Sequence, residues 1–143
     1  MKKIAVALCG VVALATACSS HAAATVTPKP RPHALRVAEG ELFLHPSSTR
    51  AATGSVTFTV TNHGTIHHEF VIVSGDPTGT KGEEPGQVSE ENHVGGADGP
   101  EIGDIAPGQA KTLIVNLPPG TYTAMCNLPG HYTGGMHFTF AVS

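Results

Sequence analysis

The chain has 143 residues but no tryptophan, only two tyrosines and only three cysteines. Charged residues make up 13% of it, and acidic residues outnumber basic ones by 11 to 8. That balance argues against a nucleic-acid partner. Long leucine-rich stretches are also missing, while 17 glycines and 11 prolines punctuate segments rich in valine and threonine. Such a composition argues against a helical protein and predicts an all-β domain.

The N-terminus has the pattern of an export signal. Lys2 and Lys3 precede an apolar run that is too short to span a bilayer, so we predict a signal peptide over residues 1–17. Removing these two lysines leaves 6 basic against 11 acidic residues, a net charge of about −5. The segment Ala15–Cys18 resembles the lipobox of bacterial lipoproteins, which makes Cys18 the lipidation candidate. Ordinary A-x-A cleavage sites nearby keep secretion without a lipid as the alternative.

Cysteine usage restricts the exported part further. Cys9 lies within the predicted signal and Cys18 directly follows it, so the domain keeps Cys126 alone. A single thiol forms no internal disulfide, and it is either an inert buried side chain or a functional one.

The remaining chain divides into a tether and one domain. Residues 18–33 are small residues followed by alternating prolines, a composition typical of a flexible tether. Residues 34–143 contain segments with period-two alternation, and they predict about seven or eight strands in a sandwich or barrel. No convincing strand is evident between Ser74 and Asp104, a region with eight acidic side chains and only Lys81 as a base. We expect a solvated loop there, or alternatively a docking surface for a basic partner.

One segment near the C-terminus carries three soft or borderline metal donors. In "CNLPGHYTGGM", Cys126, His131 and Met136 are spaced five residues apart. A thiolate and an imidazole are strong copper ligands, and a thioether is a weak one that tolerates a long bond. A fourth donor must come from elsewhere, and either His67 or His68, at the start of an apolar strand, offers it.

Two segments together resemble the cupredoxins, the type 1 blue copper family that includes plastocyanin, rusticyanin and sulfocyanin. They are "N-x-G-x-x-x-H-E-F" over residues 62–70 and "Y-T-A-M-C-N-L-P-G-H-Y-x-G-G-M" over residues 122–136. The resemblance implies a Greek-key β-sandwich that holds one type 1 copper ion. Carried over residue by residue, it implies four ligands: His68, Cys126, His131 and Met136. Neighbouring strand residues face opposite sides, so His67 faces away from the metal.

This ligand set is typical of one-electron transfer between Cu(I) and Cu(II). We therefore expect an exported carrier that meets redox proteins and is attached to the membrane through a lipid on Cys18, at the cell envelope. No enzyme is expected, since the site leaves no open position for a substrate. Multicopper oxidases place histidines beside the cysteine, whereas Met125 and Asn127 stand here. Copper storage or delivery is the alternative function.

Residues around the predicted ligands should tune the site. Asn62, Glu69 and Pro129 are the candidates, and Glu69 replaces the asparagine or serine that several relatives use to join the two ligand loops. An ionised Glu69 is expected to favour Cu(II) and lower the reduction potential. The resemblance also implies that the ring edge of His131 is the electron port, within an apolar patch of Leu128 and Pro129 with Tyr132 nearby.

Overall fold

Nine strands form the regular structure of residues 31–96 and 99–143, the parts of the chain that this computed structural model describes. The predicted signal peptide, Cys18 and most of the predicted tether lie outside these residues. Within the described ranges, no helix is long and apolar enough to cross a membrane. The strands are β1 (Ala34–Gly40), β2 (Phe43–Pro46), β3 (Arg50–Ala51), β4 (Gly54–Asn62), β5 (His68–Ser74), β6 (Ile102–Ile105), β7 (Ala110–Leu117), β8 (Gly120–Met125) and β9 (His137–Val142).

The strands form two sheets. The first has the order β2-β1-β4-β7 and the second the order β3-β9-β8-β5-β6. The β1–β4 and β3–β9 pairs are parallel, whereas the other pairs are antiparallel. The all-β sandwich predicted from the sequence is confirmed.

The core between the sheets follows from the alternation in the sequence. Val56, Phe58 and Val60 are spaced two apart on β4, and each is fully buried. Phe58 contacts Phe70 and Phe140 of the opposite sheet, with ring centroids 5.4 and 5.5 Å apart. Aromatic pairs at such distances stabilise beyond their buried area by about 0.5–1.5 kcal/mol. These contacts join the first sheet to β5, which carries the predicted ligand His68, and to β9.

Two short strands escaped the sequence analysis. The expectation that residues 74–104 hold no strand was wrong, because β6 covers Ile102–Ile105 and pairs with β5. Its middle residues, Gly103 and Asp104, are exposed, so only the two isoleucines mark it. β3 has only two residues and pairs with β9 at a sheet edge. Neither strand is long enough to show the alternation of apolar and polar residues that marks a strand in a sequence.

The segment between β5 and β6 covers the outer face of the second sheet. Val88 from this segment is buried in a cluster with Val71, Val73, Met125 and Tyr132, separate from the main core. The expectation of a solvated loop is therefore wrong for this part of the segment, because Val88 packs against the sheet although most of its neighbours in sequence are polar.

Candidate metal centre

Two parts of the second sheet bring the predicted ligands together. His68 is the first residue of β5, and Cys126 directly follows β8. The Cys126 N–H donates to the Met136 carbonyl (3.0 Å), and the Met136 N–H donates to the His131 carbonyl (3.0 Å). The loop is therefore closed on itself by hydrogen bonds and anchored between β8 and β9.

Three donor atoms converge at one point. Cys126 Sγ lies 3.3 Å from His131 Nδ1 and 3.9 Å from His68 Nδ1, and the two histidine nitrogens are 3.3 Å apart. The point equidistant from all three atoms is about 2 Å from each. Histidine nitrogens and cysteine sulfurs bind a transition metal at about 2.0–2.3 Å. The triangle thus has the dimensions of a trigonal metal site.

Met136 completes the set from the same loop. Its side chain is fully buried in the core cluster that also contains Cys126. The hydrogen bond to the Cys126 N–H fixes its backbone beside the thiol. All four predicted ligands thus lie at one end of the sandwich, three of them buried and His131 half-buried.

Burial keeps both the imidazole of His68 and the thiol of Cys126 in their neutral forms. Burial, and then the neighbouring His131, lower the pKa of His68, so its imidazole is held in the neutral form that ligates metals. Burial raises the pKa of the Cys126 thiol to about 11. A thiol in such surroundings becomes a thiolate when a metal ion offsets the cost of the buried charge.

Asn62 shapes the loop that leads to His68. Its side-chain amide donates to the carbonyls of Ile66 (2.7 Å) and Ile105 (2.8 Å), and its oxygen accepts from the Gly64 N–H (2.7 Å). Asn62 is fully buried, so these bonds are shielded from water. They tie the end of β4 to the loop before β5 and to β6.

Glu41 holds the same loop from outside. Its Oε1 accepts from the Thr65 N–H (2.5 Å), the Thr65 hydroxyl (2.8 Å) and the Ile66 N–H (3.2 Å). These bonds, those of Thr65 first, lower the pKa of Glu41 to about 2. Sequence analysis missed this residue, since an isolated glutamate in a tight turn carries no signal for a contact 24 residues away.

Glu69 connects the two ligand-bearing segments. The Asn127 N–H donates to Glu69 Oε1 (2.8 Å), which joins the residue after His68 to the residue after Cys126. Burial raises the pKa of Glu69, the Asn127 N–H opposes that shift, and Glu90 and Glu101 add to it. Pro129, the third tuning candidate, is exposed in the loop.

His67 and Tyr132 occupy positions away from the centre. His67 Nδ1 lies 2.5 Å from Asp104 Oδ1 at the surface, and the His67 side chain is 62% exposed. His67 therefore faces away from Cys126, as the alternation predicts. Tyr132, predicted near the surface patch, is buried, and its ring stacks on the His137 ring (4.3 Å between centroids) while its hydroxyl forms a hydrogen bond with that of Thr78.

A buried carboxyl was also missed. Glu39 is fully buried in β1, and neither of its oxygens has a hydrogen-bond partner among residues 31–96 and 99–143. Burial, together with Glu69, raises its pKa to about 7. Leu35 and Val37 precede it at spacings of two, so the alternation that marks the strand would have placed Glu39 inside.

Comparisons with known proteins identify the family. Residues 48–143 match the model of the sulfocyanin (SoxE) domain, which is more than half of the chain. No curated protein sequence matches significantly. An auracyanin from the photosynthetic bacterium Roseiflexus castenholzii is similar in structure, with 26% identity, a TM-score of 0.58, and coverage of 80% of this chain and 99% of the auracyanin.

More distant structures share the fold. Auracyanin A, described as a "blue" copper protein from Chloroflexus aurantiacus, is 18% identical, with a TM-score of 0.54 and coverage of 78% of this chain and 99% of its own. Rusticyanin from Thiobacillus ferrooxidans is 16% identical, with a TM-score of 0.56 and coverage of 78% and 79%.

The histidine, cysteine and methionine donors described above fit one type 1 copper ion, since two imidazoles and a thiolate form the trigonal set and a thioether is the usual weak axial ligand. Cupredoxins are electron-transfer copper proteins rather than enzymes. The matched domain, the sandwich and the converging donors together show that the chain belongs to the sulfocyanin domain family of blue copper proteins.

Proposed function

We propose that this protein is an exported one-electron carrier whose type 1 copper is held by His68, Cys126, His131 and Met136. The convergence of the His68, Cys126 and His131 donor atoms within 3.9 Å of one another carries the proposal. When bound, copper supplies the Cu(I)/Cu(II) couple.

The chain's own residues set the geometry before any ion arrives. A hydrogen bond joins the backbones of Cys126 and Met136, and hydrogen bonds from Asn62 and to Glu41 fix the loop before His68. Donors held in this way do not rearrange with the oxidation state, which keeps the cost of electron exchange low. Burial of Cys126 and Met136 excludes water from the site and leaves no place for a substrate, which supports a carrier rather than an enzyme.

His131 is the proposed electron port. It is half-buried, whereas the other three proposed ligands are buried. Pro129 beside it is exposed and Leu128 is half-buried. Leu42, 57% exposed, lies against the same loop, where a β-carbon on Gly134 would come within 2.3 Å of Leu42 Cδ2. A small apolar patch of this kind suits the brief encounters of redox proteins.

The cellular setting is part of the proposal. The basic and apolar pattern of residues 1–17 supports export, and Cys18 would carry a lipid that attaches the domain to the cell envelope. The prolines of residues 18–33 would then act as a spacer that lets His131 reach redox protein donors and acceptors. Mass spectrometry of the protein from its native membrane tests this directly, since lipidation adds acyl mass to a chain that begins at Cys18.

Copper titration tests the site. One equivalent of Cu(II) per chain should produce an intense visible thiolate charge-transfer absorption. Cys126→Ser should abolish that absorption, whereas Met125→Leu should retain it, because Met125 packs on the other face of β8 with Val71. A colourless wild-type complex, or an absorption that survives in Cys126→Ser, would overturn the proposed ligand set.

A further inference from the structure

Three side chains outside the proposed copper site gather beside the outer face of the second sheet. Glu90, His93 and Glu101 each offer a ligand atom, and these atoms all lie within 4.8 Å of one another. Glu90 is half-buried, His93 is buried and Glu101 is exposed. The group thus combines a buried imidazole, that of His93, with an exposed carboxylate, that of Glu101, which has room to rotate.

His93 supplies an independent reason to expect a ligand. It is 6% exposed, and its Nε2 is buried without a hydrogen-bond partner among the described residues. Its backbone is fixed by a bridge to Val73 and by donation from its N–H to the Glu90 carbonyl (2.7 Å). An unpaired buried donor or acceptor destabilises the fold, and a ligand contacting the ring would reduce that cost.

The carboxylates around His93 also lack a positive partner. Asn127 connects two of them, because its N–H donates to Glu69 Oε1 (2.8 Å) and its side-chain nitrogen donates to Glu90 Oε1 (2.6 Å). Within residues 31–96 and 99–143, the one ion pair is His67–Asp104, which involves none of these glutamates. Like charges at such short range repel unless a cation lies between them.

Asn127 orients one of the candidate ligands. Its side-chain nitrogen donates to Glu90 Oε1 (2.6 Å) and to the Val88 carbonyl (2.9 Å). The second oxygen of Glu90 stays available for a further contact. Glu90, His93 and Asn127 also line an open cleft of about 600 Å³, through which a hydrated ion has access from solvent.

We propose that Glu90, His93 and Glu101 form a second metal site that binds a divalent first-row cation, distinct from the copper site in its donor chemistry. One imidazole and two carboxylates suit Zn²⁺ or Mn²⁺, whereas a thiolate with a thioether suits copper. Ligand atoms about 2.1 Å from one ion are at most about 4.2 Å apart, so side-chain shifts of under about 1 Å bring the three ligand atoms to binding distance. The proposal does not depend on copper being bound.

Manganese binding to the copper-free, full-length protein tests the proposal. Mn²⁺ is the probe because it disfavours thiolate and thioether donors, and the electron paramagnetic resonance of free Mn²⁺ counts what remains unbound. We expect saturation at one Mn²⁺ per chain. Zn²⁺ should displace it, in keeping with the higher affinity of zinc for the same donors.

Matched charge changes identify the ligands. Glu101→Gln should weaken Mn²⁺ binding at least ten-fold, while Glu91→Gln should leave it within two-fold of wild type, because Glu91 is exposed on the same segment but outside the group. Both variants alter exposed side chains, so folding is not at stake. Absence of saturable binding, or equal weakening by the two variants, overturns the site.

Discussion

Replacing Asn62 with alanine should loosen the loop that positions His68 without touching a proposed ligand. The substitution removes three hydrogen bonds, two donated by the amide and one accepted from Gly64. The loop from residue 63 to residue 67 contains no strand pairing, so these bonds act with those of Glu41, the His63 N–H donation to the Glu39 carbonyl and the His67–Asp104 pair to restrain it.

The cost follows from where each bond lies. Ile105 is fully buried, so its carbonyl loses a partner that water does not replace, at about 1–3 kcal/mol. Ile66 is 45% exposed and Gly64 half-buried, so water compensates there, and each bond contributes about 0.5 kcal/mol. The total is about 3 kcal/mol, which lowers the melting temperature by about 10 °C. Typical domains have about 5–15 kcal/mol of stability, so the variant should stay folded.

Urea unfolding of the copper-free protein measures this loss. Thr61→Ala is the matched control, because Thr61 is the neighbouring residue on β4, is half-buried and makes no side-chain hydrogen bond in the described parts of the chain. It should cost under about 1 kcal/mol. Copper affinity adds a second readout, since loss of a group that orients a ligand lowers metal affinity by about 10–100-fold. Equal stabilities for the two variants together with unchanged copper affinity would refute the reasoning.

Three further predictions concern charge and backbone. Glu69→Gln keeps an oxygen for the Asn127 N–H but removes the negative charge that an ionised Glu69 places near the proposed copper ligands, so the reduction potential should rise; an unchanged or lower potential in voltammetry contradicts this. Burial raises the pKa of Glu39 from 4.5 to about 7, so its ionisation should cost the copper-free protein about 3 kcal/mol of stability as pH rises from 4.5 to 7.5. Glu39→Gln should flatten that decline in urea unfolding, and any remaining slope belongs to groups such as Glu69; a decline as steep as in wild type refutes the assignment. Gly135→Ala should reduce the stability by about 1–3 kcal/mol, because φ at Gly135 is 112° and a side chain strains the backbone there. The control Gly120→Ala, at a position with no positive φ, should reduce it less. Equal losses of stability in thermal unfolding would argue against backbone strain at Gly135.

The sandwich was predictable where alternation extends over many residues. β4 has buried Val56, Phe58 and Val60 at every second position, and it lies between β1 and β7 in the first sheet. β3 and β6 have two and four residues, too few to establish a period. Their pairing depends on neighbours distant in sequence, which no local pattern reports.

The same distinction applies to the site. The donors of the loop from Cys126 to Met136 are close in sequence, so spacing alone indicates them. Contacts such as Glu41 to Thr65 and Asn127 to Glu90 cross 24 and 37 residues. These contacts depend on how the loops fold over the sheets. The local sequence around each glutamate does not reveal them.

Repeated oxidation and reduction of the copper-loaded protein in the presence of a copper-free acceptor protein tests the carrier function most directly. If the protein is an electron carrier, the visible absorption should disappear on reduction and return fully on oxidation over many cycles, with one copper per chain throughout. Steady transfer of copper to the acceptor on reduction, with the absorption lost for good, would contradict electron transfer and favour copper delivery.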